Sequence, residues 1–206
     1  MTADLTSIAT FDFVTVLSHA AAAYPEPRGT RPSAEILVNA LLQAEKSAKQ
    51  QQLTYPFESL LGKWQLSFVT GTQKVRERGG ILLDKGFYVA KFITVHVSFN
   101  PTLSEDSGRG EIVNQVEYGP VLLKLTGPVQ YSSQKNLLAF DFNHMLISLF
   151  GRVVYNRPIR FGKVKIEDFY NQPITKLPFF AFFSVTEDFI AARGRGGGLA
   201  FWIRET

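Results

Sequence analysis

The 206-residue chain contains no cysteine, which excludes disulfide bonds, thiolate nucleophiles, iron–sulfur centres and cysteine-ligated zinc. Histidine is nearly as scarce: His19, His96 and His144 stand far apart, without the spacing to a second histidine or a carboxylate that a metal requires. No metal and no cofactor is therefore expected. A Gly-x-Ser-x-Gly elbow is also missing. Asp141 and His144 could pair as a dyad, but no nucleophile sits at a recognisable turn, so the chain is not expected to be an enzyme. Charged residues are few, at 19%, yet no apolar run reaches the ~18–20 residues of a helical membrane span. Met1 to Leu17 lacks a basic start and carries Asp4 and Asp12, so it reads neither as a secretory signal nor as an Arg- and Ser-rich transit peptide.

Aromatic residues, by contrast, make up 13% of the chain, with 18 phenylalanines. The net charge of +4 and pI of about 9.3 imply attraction to anionic surfaces, lipid headgroups and nucleic acid alike. The first third has helical character. Phe13, Val14, Val16, Leu17, Ala20 and Ala21 lie at helical spacing before Pro25. Pro27, Gly29 and Pro32 mark a turn-rich linker, after which Ser33 is an N-cap with Glu35 in the first turn. Ile36, Leu37, Ala40, Leu41 and Ala44 then share one face of a helix that ends near Gln52.

From Leu60 onward the apolar period is two, in short runs separated by Gly, Pro, Asn and Asp. Such runs predict about eight to ten strands in a meander barrel or sandwich. The expected organisation is a helical segment over 1–52 packing on a β-barrel over 53–206. Leu66, Phe68, Val95, Val97, Leu123, Leu125, Phe140 and Phe142 fall on apolar strand faces and are the candidate interior. They would line a ligand cavity or fill the core of a small barrel with their own side chains. The run Leu177-Pro-Phe-Phe-Ala-Phe-Phe183 reads as a buried strand.

Two basic stretches remain. Arg152, Arg157, Arg160, Lys163 and Lys165 fall within fourteen residues and interleave with Phe150, Tyr155 and Phe161. That pattern fits a solvated strand edge, where cations discourage pairing, and equally a nucleic-acid or membrane-interface contact. Arg193-Gly-Arg-Gly-Gly-Gly198 is not a phosphate loop, because no Lys-Ser/Thr follows and the next element is a strand. It reads as a glycine turn whose arginines, Arg193 and Arg195, face solvent, cap the barrel mouth or touch anionic headgroups.

Gly62-Lys63-Trp64 opens the first strand and Arg204 ends the last. A Gly-x-Trp start with a terminal arginine resembles lipocalin-like barrels, in which the arginine covers the tryptophan where first and last strands meet; such a stack contributes roughly 0.5–2 kcal/mol. With Leu61-Gly-Lys-Trp-Gln-Leu66 and Glu187-Asp-Phe-Ile-Ala-Ala-Arg-Gly-Arg-Gly-Gly-Gly-Leu199, the chain resembles the plastid lipid-associated proteins (fibrillins, or plastoglobulins) in a cyanobacterial form, over about residues 10 to 205. Thr186 and Ile190 depart from that family, where an acid and an arginine are usual, so no role carries over to them. The resemblance implies a mainly β, lipocalin-like antiparallel barrel with an N-terminal helical segment. It also implies non-enzymatic binding of a hydrophobic small molecule (lipid, prenylquinone or carotenoid), peripheral attachment to the cytoplasmic side of thylakoid membranes or to lipid bodies, and a structural or photoprotective role. A packed barrel that recruits a partner enzyme of isoprenoid or quinone metabolism is the alternative, and nucleic acid is not the expected partner. Trp64 and Arg204 would close the barrel, and Arg152, Arg157, Arg160, Arg193 and Arg195 would meet the anionic surface.

Overall fold

The computed structural model describes residues 12–24, 30–75, 80–102, 108–159 and 166–205. Two helices come first, as the apolar spacing predicts. Helix α1 (Phe13–Ala22) is capped by Asp12, whose carboxylate accepts from the Val14 N–H. Helix α2 (Ala34–Gln51) is capped by Ser33, whose hydroxyl accepts from the Ile36 N–H at 3.3 Å; each cap satisfies a donor that has no partner inside the helix.

The β-region holds thirteen strand segments among the described residues, more than periodicity predicts: β1 (Gly62–Val69), β2 (Thr72–Val75), β3 (Gly80–Leu83), β4 (Phe87–Tyr88), β5 (Ile93–Pro101), β6 (Arg109–Tyr118), β7 (Val121–Ser132), β8 (Leu137–Phe140), β9 (His144–Leu149), β10 (Arg152–Pro158), β11 (Phe179–Val185), β12 (Phe189–Gly194) and β13 (Leu199–Arg204). Eight of them, β1, β5, β6, β7, β8, β11, β12 and β13, form a closed antiparallel barrel in which β7 pairs β8 to complete the ring. A strand as short as β4, two residues long, shows no period and escapes detection by pattern alone.

Strand β7 is shared between two partners. Its second half, Val129 to Ser132, pairs β8, whereas its first half, Val121 to Thr126, pairs β9. Hairpin β9–β10 thus splays off the ring, and every residue of β10 is exposed. The switch falls at Gly127, where a Cβ would stand 1.9 Å from the Asp141 carbonyl oxygen. Only glycine lets the crossing chain come so near.

Inside the barrel, Trp64, Phe99, Ile112, Val129, Leu138, Phe182, Ile190 and Trp202 are buried together. The short 3-10 helix Phe57–Leu60 closes the end where β1 begins and adds Phe57 and Leu60 to this core. Outside, α1 and α2 lay Leu17, Ala20, Leu37, Leu41 and Ala44 on Phe68, Phe183, Phe189, Ala191, Leu199 and Phe201. The alanines facing one another allow close approach of helix and sheet. A register shift in β1 between Leu66 and Phe68 reverses the alternation, so Phe68 turns from the expected interior to the helix side. The run ending at Phe183 is a strand, as expected. Phe182 faces inward, and its neighbour Phe183, on the opposite face of the strand, packs against the helices.

The strand ends meet as their sequence implies. Trp64 is opposite Arg204 in the β1–β13 register, and the guanidinium lies 3.9 Å above the indole. The indole N–H donates to the Leu60 carbonyl at 2.8 Å, and Arg204 donates to the Leu61 and Glu187 carbonyls. On the same side, the turn residue Asn136 donates to the Leu53 carbonyl and accepts from the Tyr55 N–H. Those bonds pin the link between α2 and β1 to the barrel floor.

Gly127→Ala is expected to lower stability by about 1–3 kcal/mol, the cost of forcing extra volume into a packed contact. Urea denaturation monitored by tryptophan fluorescence measures it; an unchanged midpoint would show that the crossing chain yields freely.

Candidate functional site

The lower part of the barrel is filled by its own side chains, but the part toward the β6–β7 turn is not. A cavity of ≈ 230 Å³ there is lined by Leu66 and Val69 of β1, Val95 and Val97 of β5, Ile112 and Asn114 of β6, Phe140, Phe142, Phe180 of β11, and Ala200 and Trp202 of β13. Four aromatic rings make a continuous wall. Phe140 lies 5.4 Å from Phe142 and stacks on Phe180 at 4.9 Å, and Phe180 meets Trp202 edge-on at 5.3 Å. Asn114, half-buried, brings one amide to an otherwise apolar lining.

Of the expected interior residues, Leu66, Val95, Val97, Phe140 and Phe142 line the cavity. Phe68 does not, because the β1 shift sends it under the helices. Leu123 and Leu125 do not either: they lie in the half of β7 that pairs β9, beyond the point where the ring closes. Periodicity missed Phe180, Ala200 and Trp202. For the last two a signal existed. Arg204 faces Trp64, so Trp202 and Ala200 share that inward face, whereas Leu199, Phe201 and Ile203 turn to the helices. Phe180 carried no such signal, since its strand is apolar on both sides.

A larger cleft of ≈ 570 Å³ lies outside the barrel, where the end of α2 passes β8 and β11. Its walls include Glu45, Lys49, Lys135 and Asn136. Glu45 and Asn136 are already engaged in bonds that hold the fold. The barrel cavity, smaller but apolar and aromatic, is the better ligand site.

The basic residues separate. Arg152 and Arg157 stand exposed on β10 and Arg195 on the β12–β13 turn, where its guanidinium also donates to the Lys176 carbonyl at 2.7 Å. Arg160 lies outside the described residues. Arg193 is not a surface contact. Its Nε donates to Glu45 Oε1 at 2.8 Å and its Nη2 to Oε2, in a two-pronged ion pair that ties β12 to α2. Burial alone would raise the Glu45 pKa, but the Arg193 and Lys49 hydrogen bonds and charges carry it below the ordinary carboxylate value.

His96, which lies between the apolar Val95 and Val97 in sequence, is buried, its Nε2 3.1 Å from Glu205 Oε2 with neither ring nitrogen in hydrogen-bond geometry. Burial holds its pKa below that of free histidine, against the pull of Glu205. Its contribution to stability is therefore present above the unfolded-state pKa of about 6.5 and is lost as pH falls. Asp141, next to the cavity residue Phe142, has its pKa raised by burial despite accepting the Phe142 N–H. Among the described residues no cluster of three or more histidine and carboxylate groups could hold a metal.

No family model matches the chain, and no curated protein matches it. No helix among the described residues is long and apolar enough to cross a membrane.

Glu45→Gln should cost about 1–2 kcal/mol at neutral pH, discounting for the partial exposure of the guanidinium. Because the folded carboxylate has the lower pKa, that contribution is complete above about pH 4.3 and is lost as pH drops through the folded value. Denaturation curves of both proteins should therefore differ at pH 7 and draw together as the pH is lowered into the acid range. A constant gap would mean that the charge of Glu45 is not what binds Arg193.

Proposed function

We propose that the protein is a non-enzymatic binder of a hydrophobic small molecule, held in a lipocalin-like barrel that works at a membrane surface. The aromatic-walled cavity carries this reading. Its volume is below the ~300–1,000 Å³ of most ligand sites but above the ~150 Å³ that admits a benzene. It therefore suits one ring or the end of a chain, not a whole polyisoprenoid. Flat rings stack favourably on Phe140 and Phe180, and the Asn114 amide can bond one carbonyl or hydroxyl. Prenylquinones combine such a ring with a long tail, and the mouth leaves the tail free to extend outward. Burial of the ring would contribute about 25 cal/mol per Å² of apolar surface.

The resemblance to the plastid lipid-associated proteins agrees with this chemistry and supplies the proposed setting: the cytoplasmic face of thylakoid membranes or lipid bodies, with a photoprotective role. The protein-partner alternative draws on a separate observation, the edge strand β10, which among the described residues has one set of backbone groups unpaired and Val153, Val154 and Tyr155 exposed.

Ala200→Phe places a ring in the cavity without touching the helices. In protein purified from a pigment-making photosynthetic host, organic extraction and mass spectrometry should find a near-stoichiometric quinone, carotenoid or lipid in the wild type and none in the folded variant. A wild type that is empty, and that takes up no added prenylquinone, would overturn the carrier reading in favour of the partner scaffold.

A further inference from the structure

The register brings the β4–β5, β6–β7 and β9–β10 turns to one end of the barrel, the end nearest the cavity. Three aromatic rings protrude from these turns: Phe92 is 68% exposed, Tyr118 58% and Phe150 78%. They belong to one patch. Phe92 and Tyr118 touch edge-on at 5.9 Å, and the Phe150 N–H donates to the Pro120 carbonyl at 2.9 Å, joining the last two turns. Large apolar rings standing together in water mark an interaction surface.

The backbone points the same way. Phe150 and Gly151 form the two-residue turn of the β9–β10 hairpin, with φ of 50° and 75°. That turn wants asparagine then glycine, because both positions lie in the left-handed region. A phenylalanine there is strained, and strain retained at an exposed tip indicates use. Charge identifies the occupant. Lys85, Lys91, Arg152 and Arg195 are exposed at this end, where the described acids are Asp84, Glu117 and Asp141; exposed acids such as Glu111, Glu187 and Asp188 stand at the other. A second copy fits badly on β10: antiparallel self-pairing over residues 152–157 sets Arg152 against Arg157 at both ends, and pairing over the whole strand sets Pro158, which has no N–H to donate, at both ends.

We propose that this end of the barrel inserts into the surface of an anionic lipid bilayer, with Phe92, Tyr118 and Phe150 as the penetrating rings and the flanking cations on the headgroups. The inference rests on the membrane half of the reading above and is independent of its ligand half. It points the cavity mouth at the bilayer, so a tail leaving the barrel enters lipid instead of water. It keeps Arg152, Arg195 and Phe150 from the sequence reading, adds Phe92 and Tyr118, and makes the rings the penetrating groups.

The test uses phosphatidylcholine vesicles with and without phosphatidylglycerol. Wild type should sediment with the anionic vesicles. Phe150→Asn should bind them about tenfold or more weakly, the loss of one buried ring, while melting at the same or a higher temperature because the turn is relieved. Arg152→Gln should weaken binding about fivefold, with the difference disappearing at high salt. Trp64 and Trp202 are buried, so in Phe150→Trp the added indole reports the tip, and brominated lipid should quench it. Ala200→Phe should bind vesicles as wild type does. Undiminished binding by Phe150→Asn, or an unquenched tip in vesicle-bound protein, would overturn this surface and leave a membrane role intact. A wild type that ignores vesicles, or that binds single-stranded RNA in their place, would overturn the membrane reading and the surface together.

Discussion

At Gly127 the backbone of the chain entering β9 lies against the backbone of β7, closer than any side chain would permit. That contact divides β7 between two partners. Below it, β8 completes the ring and the barrel closes over a packed interior. Above it, β9 takes the place that β8 would have held, and among the described residues no strand pairing joins β9 to β11. The cavity, its mouth and the projecting hairpin are all consequences of this division. A barrel with full-length pairing between β7 and β8 would have neither that gap in the pairing nor a free hairpin.

The interior is accordingly graded. Trp64, Phe99, Phe182 and Ile190 fill the closed end, where Arg204 stacks over the indole and the Phe57–Leu60 turn seals the floor. Toward the open end the side chains shorten to Val69, Val95 and Ala200, and space remains. On the proposed reading this gradation is functional. The packed half supplies rigidity, the aromatic wall selects a flat ring, and the exposed aromatic tips set the mouth against lipid. Stability and binding are then carried by different residues.

Charge is divided in the same manner. Arg193 is spent on Glu45, where removal from water is offset by a two-pronged bond that holds α2 to the sheet. Arg152, Arg157 and Arg195 remain exposed to solvent. Five arginines looked alike in sequence, yet the one beside a buried carboxylate became part of the framework. Nothing in the local sequence distinguishes Arg193 from Arg195, because its partner lies 148 positions away.

Local pattern was enough for the two helices with their Asp12 or Ser33 caps, the mainly β character, most strand faces and the pairing of Trp64 with Arg204. These follow from short-range periodicity, capping chemistry and a recognisable pair of strand ends. Tertiary structure decided the rest. A register shift turned Phe68 outward, the division of β7 removed Leu123 and Leu125 from the cavity, and ring closure brought Phe180, Ala200 and Trp202 into it. The patch of Phe92, Tyr118 and Phe150 likewise exists only once three turns distant in sequence share one end. A period of two says that a strand has two faces; which face is inside depends on bulges and on partners far along the chain.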